Sequence, residues 1–312
     1  MDPAQYFAAS RLVIVAGKGG VGKTTVTAAM ARAAARSGLS VLVVELEGKS
    51  GLAGLFGREP LTYEPVELAE GIQGRTITPD EALLDYLHDR GMSRLSKRLV
   101  SSGALEIVAT AAPGIRDILV LGMVKALERD RAADLILLDA PAAGHAITFL
   151  LSARALQETV RVGAINAQAS EVLDLLTNPE RCQVLLVTLP EETPVNELVD
   201  TAYHLEDRVG VNLGPVVVNA VVGDLPGLDV EPVEAAGQAD ASLLPGEADE
   251  LAAAASFRAH RRALQEEQLA RLGDKLPLRQ IHLPFLFSAD LGPSELETLV
   301  DALLKGIGGL PS

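Results

Sequence analysis

Two lysines, two threonine hydroxyls and four glycines fall within nine residues, Gly17-Lys18-Gly19-Gly20-Val21-Gly22-Lys23-Thr24-Thr25. The spacing matches G-x-x-x-x-G-K-[ST], a loop whose main-chain N–H groups cradle phosphate oxygens. Its flanks fit as well. The apolar run Leu12-Val13-Ile14-Val15-Ala16 precedes it, and an Ala-rich stretch from Val26 to Arg36 follows. Strand, tight glycine loop and helix N-terminus together make an anion site. Lys23 is expected to reach the β- and γ-phosphates of a nucleotide, and the Thr24 hydroxyl to ligate Mg²⁺. ATP and Mg²⁺ are therefore the expected cofactors.

A second piece of that chemistry lies further on. Leu135-Ile136-Leu137-Leu138 is a buried-strand pattern that ends in Asp139. A carboxylate at a strand end after such a loop is expected to hold the Mg²⁺ shell opposite Thr24.

The string Gly-Lys-Gly-Gly-Val-Gly-Lys-Thr-Thr resembles the P-loop ATPases with a signature lysine, among them the arsenite-pump and tail-anchored-protein-targeting ATPases. Asp139-Ala140-Pro141-Ala142-Ala143-Gly144-His145 resembles their second switch, Pro113-Gly114-Ile115 a short motif of theirs, and Pro190-Glu191 a loop near their dimer interface. The resemblance runs in motif order from residue 11 to about residue 290. It implies a P-loop NTPase fold and an ATPase that works as a dimer, with Lys18 crossing to the partner's nucleotide. It implies that Glu47 stands where the water-positioning aspartate of the first switch would be, with Glu45 as the alternative carboxylate and a solvated loop glutamate as the other reading. Gly144 becomes a γ-phosphate sensor through its N–H; His145 reads as a hinge or packing residue as readily as a catalytic one. Asn219 is expected to read the adenine, or else to bridge two segments structurally, and Pro284 and Phe285 to cradle the base.

The family's cargo features are missing. Four methionines, Met1, Met30, Met92 and Met123, make no thioether groove, and one cysteine, Cys182, makes no arsenite site. The dimer is expected to be homo- or heteromeric with an unknown cargo. A nucleotide-holding, weakly hydrolysing subunit of a heterodimer is the alternative. A chromosome- or septum-positioning ATPase ranks lower, because the C-terminal residues 306–312 form no amphipathic membrane helix.

The elements that must position these residues can be read in order. Strands are expected at about 11–16, 40–45, 134–139, 182–189, 214–222 and 278–283, roughly six in parallel. Residues 51–74 read as irregular surface. Thr78-Pro79-Asp80-Glu81 is a helix start with a capping box. Helices are expected at about 93–102, 104–111 and 114–130, which makes 78–131 a helical subdomain inserted in a single 1–312 ATPase domain. Residues 223–248 read as a flexible acidic insertion, 248–272 as a long helix and 294–305 as the closing helix. The fold class is α/β, a mostly parallel sheet flanked by helices.

Composition agrees. Apolar residues make up 48% of the chain but aromatics only 3%, so the core is aliphatic, as parallel strands covered by helices require. A formal charge of −15 disfavours nucleic-acid binding. No stretch reads as a signal peptide or a membrane span, so the expected location is the cytoplasm without a stable membrane anchor.

Overall fold

The computed structural model describes residues 1–46, 51–89, 91 and 114–311. In chain order these carry α1 (Pro3–Ala8), β1 (Leu12–Gly17), α2 (Lys23–Arg36), β2 (Val41–Leu46), α3 (Leu52–Leu55), β3 (Val66–Ala69) and β4 (Ile72–Ile77). Then come α4 (Pro79–Asp89), α5 (Ile115–Arg129), β5 (Leu135–Ala142), α6 (Ala143–Thr159), α7 (Ala164–Leu176), β6 (Cys182–Thr188) and α8 (Glu192–Arg208). The chain continues through β7 (Val216–Val221), α9 (Pro232–Gln238), α10 (Glu247–Lys275), β8 (Gln280–Pro284) and α11 (Pro293–Gly308).

The strands build one sheet in the order β3-β4-β2-β5-β1-β6-β7-β8. All pairings are parallel except β3 with β4. The α/β architecture is therefore as expected, but the strand count of six is corrected to eight among the described residues. The two additions are β3 and β4, in or overlapping the stretch read as irregular. Their sequence hides them: β4 carries Gln73, Gly74, Arg75 and Thr76 between Ile72 and Ile77. Gly74 gives room for Leu61 and Leu68, whose methyl carbons would stand 2.9 and 2.7 Å from a Cβ there. Packing, not propensity, makes this strand.

Apolar layers cover both faces. On one face α5, α6, α7 and α8 pack around Ile14, Val44, Leu138 and Val184. On the other α2 and α11 enclose Val15, Val43, Leu137 and Leu185. Alternate residues of each strand thus serve opposite layers, the pattern of a doubly covered sheet. The capping box at α4 forms as read: Thr78 Oγ1 accepts from Glu81 N at 3.2 Å, and Thr78 N donates to Glu81 Oε2 at 3.3 Å. The helices expected at 93–102 and 104–111 lie outside the described residues. α5 joins the same apolar cluster as the central strands. The acidic stretch contains α9, which has no buried residue. α10 is longer than expected, 29 residues, and buries only Gln265 and Leu272.

Candidate functional site

The glycine loop joins the C-terminal end of β1 to α2. At Gly17 the backbone has φ +157, and a Cβ would lie 2.3 Å from the Val187 carbonyl oxygen of β6. Only glycine lets β1 pass that close. Gly22 caps α2 in the left-handed region at φ +88. Between them Val21 is buried while Gly19 and Gly20 are exposed. Lys23 opens the helix. Its side chain is 8% exposed and folds back over the loop, with Nζ donating to the Lys18 carbonyl at 2.9 Å. Thr25 follows on the first turn, half-buried.

The sheet order places β5 directly beside β1, with Val15 in register with Asp139. Thr24 Oγ1 donates to Asp139 Oδ2 at 2.6 Å. Asp139 is 0% exposed. A hydroxyl and a buried carboxylate at the mouth of an anion loop are hard oxygen donors of the kind Mg²⁺ takes. On the other side of β5, Glu45 of β2 is in register with Asp139 and 1% exposed. A second carboxylate therefore stands at the same level of the sheet. Glu47 lies outside the described residues, but the chain on its far side returns to the site: a Cβ at Gly51 would stand 3.8 Å from Thr24 Cγ2.

Lys18 is half-buried and its ammonium bonds Glu197 Oε1 of α8 at 2.6 Å. Sequence reasoning missed Glu197, which lies mid-helix without any motif around it. Gly144 and His145 belong to the first turn of α6, immediately after β5, so the stretch expected to act as a second switch leads straight into a helix.

Asn219 sits near the end of β7 and donates from Nδ2 to the Val21 carbonyl at 3.0 Å. The bridging reading describes this contact: one side chain ties β7 to the loop. Pro284 ends β8, and Phe285 N donates to the Val221 carbonyl at 2.9 Å. Phe285 packs edge-on to Phe287, and the Arg261 guanidinium lies 5.3 Å from the Phe285 ring centroid. Asn219, Pro284 and Phe285 thus gather at the neighbouring ends of two paired strands. Cys182 is remote from this site. It is fully buried, and burial pushes its thiol well above the ordinary range.

Residues 10–167 match the family described as anion-transporting ATPase. The chain is similar to ATPase BagA of Mycobacterium tuberculosis, 34% identical over 223 residues, which covers 67% of this chain and 64% of that protein. It is also similar to a putative arsenical pump-driving ATPase of Halobacterium salinarum, 24% identical over 228 residues, covering 67% and 35% of the two chains. An arsenical pump-driving ATPase of Escherichia coli is 27% identical over 215 residues, covering 67% and 34%. The chain spans less than two thirds of the length of these relatives.

Proposed function

Because the chain belongs to the anion-transporting ATPase family, we propose that it is a Mg²⁺-dependent ATPase working as a dimeric, nucleotide-driven switch. The observation that carries the reading is the 2.6 Å hydrogen bond between Thr24 and Asp139. It joins the loop hydroxyl to the strand-end carboxylate, the pair that this chemistry needs for its metal. Thr24 and Asp139 would hold Mg²⁺, which when bound offsets charge on the phosphate oxygens. The amides of residues 17–25 bind the phosphates, and Lys23 places its ammonium against them. Glu47, or Glu45 beside Asp139, orients the attacking water. Gly144 senses the γ-phosphate through its N–H. Asn219, already joined to the loop, reads the adenine with Pro284 and Phe285 around the base.

Lys18 reaches the partner's nucleotide in this scheme, so its pair with Glu197 must open on dimerisation. Both side chains are partly exposed, at 35% and 44%. Breaking such a pair costs at most about 1 kcal/mol, well within what a triphosphate charge supplies. The same pair motivates the second reading, a subunit that holds nucleotide but turns it over weakly, because its signature lysine is engaged within its own chain. Residues 78–131 act as the switched subdomain, and 223–248 as a flexible insertion. The relatives' names include arsenical pumps. The one cysteine here is buried, so the proposed cargo is not arsenite held by thiolates.

Steady-state phosphate release by the pure protein tests the reading. Turnover should require Mg²⁺, fall to background with a chelator, and drop at least about 100-fold in Lys23→Ala. Wild-type turnover no higher than that of Lys23→Ala, with ATP still bound, would favour the second reading.

A further inference from the structure

β7 does not run evenly alongside β8. The register shifts between Val218 and Val221, so Asn219 and Ala220 form a bulge. Ala220 holds φ +57, one of three non-glycine residues with positive φ among the described residues. A left-handed residue carrying a Cβ persists only where its surroundings hold it. What holds it is Gln265 of α10. Its Oε1 accepts from Val222 N at 2.8 Å and its Nε2 donates to the Ala220 carbonyl at 3.2 Å. Gln265 is 4% exposed, on a helix that fully buries just one other residue, Leu272. One side-chain amide thus satisfies a donor and an acceptor that the bulge removes from the ladder.

Asn219 is the first residue of the bulge, and alternation along β7 puts it on the same face as Val217 and the loop's Val21. With the bulge in place, Asn219 Nδ2 meets the Val21 carbonyl at 3.0 Å. It lies so near Gly22 that a Cβ there would be 2.3 Å from Nδ2. α10 also grips the next residues: Arg258 donates to the Gly223 carbonyl at 3.1 Å, and Arg262 pairs with Asp224.

We propose that Gln265 is a positioning residue of the nucleotide site: by pinning the β7 bulge it aims Asn219 at Val21 and holds the glycine loop ready for phosphate. The proposal rests on the nucleotide reading above. Because the Val21 carbonyl is engaged by Asn219, the loop presents its N–H groups to the ligand. Without Gln265, the carbonyl of Ala220 and the N–H of Val222 lose their partner. The strand end then loses its anchor, and Asn219 is no longer held fixed against the loop.

The test uses the full chain as wild type, Gln265→Leu, Asn219→Ala and the double variant, with ADP affinity measured by calorimetry and ATP turnover by phosphate release. Gln265→Leu should weaken ADP about tenfold and raise KM for ATP similarly, with kcat changed less than about twofold. A residue that only supports the fold would instead lower the active fraction, and so kcat, at constant KM. The double variant should bind no more weakly than the weaker single one, because a shared contact is lost once. Unchanged ADP affinity in folded Gln265→Leu overturns the proposal, as do fully additive losses. If Gln265→Leu yields no folded protein, Gln265→Glu replaces it, keeping the acceptor for Val222 and losing the donor to Ala220. Its ADP affinity should fall by a smaller factor, and unchanged affinity there overturns the proposal equally. A wild-type chain that binds no ADP, or binds it as well after Lys23→Ala, sinks the nucleotide reading itself, a result distinct from insensitivity at Gln265 alone.

Discussion

At the scale of single residues, a glycine of the loop tolerates least where its nearest neighbour is backbone and not a flexible side chain. Gly17 is the sharpest case. Its missing Cβ would stand 2.3 Å from the Val187 carbonyl oxygen, and its φ of +157 is one that side-chain-bearing residues rarely adopt. Neither the strand nor the carbonyl can move without disturbing the sheet. Gly17→Ala is expected to lower the denaturant midpoint, by an amount equivalent to roughly 2 kcal/mol or more, and to weaken nucleotide binding with it. An unchanged midpoint would show that β1 and β6 are further apart than placed here. The loop, Lys23 and Thr24 were legible in sequence because the motif is contiguous. Glu197 and Gln265 were not, because each is one polar residue on a helix whose periodicity marks it only as surface or edge.

At the scale of elements, the strongest sequence signals were local ones that the structure realises nearly residue for residue. The α4 start is an example, with Thr78 and Glu81 bonded reciprocally. Thr78→Ala should cost about 1 kcal/mol, read as a fall in Tm, while ATP turnover stays unaltered. A loss many times larger would mean that Thr78 does more than cap the helix. Aliphatic strands such as β1, β5 and β6 were equally legible, since a run with both faces buried is apolar throughout. β3 and β4 were not, because a sheet-edge hairpin with a glycine and an arginine resembles loop until Leu61 and Leu68 are seen packed over Gly74.

For the whole molecule, Cys182 reports on the packed state. It lies in β6 within the larger apolar cluster, and its thiol is held neutral by burial. The thiolate is the reactive form, so a native chain at pH 8 should resist alkylation and react promptly once guanidinium unfolds it. The rate under native conditions then measures global opening. Rapid native labelling would contradict the placement of β6 in the sheet interior. Among the described residues no helix is long and apolar enough to cross a membrane.

Read from the amino acids alone, this protein already showed a glycine-loop motif with its lysine and hydroxyl, a strand-end carboxylate and an aliphatic α/β sheet. Each of these is written in neighbouring residues or in a period of two or three to four. The partners were decided only by the tertiary structure: Thr24 meets Asp139 across 115 positions and Lys18 meets Glu197 across 179. The physical reason is the strand order. Placing β5 beside β1, and α8 where Lys18 can reach it, is a choice among packings of the same elements, and no local pattern along the chain records which packing buries the most.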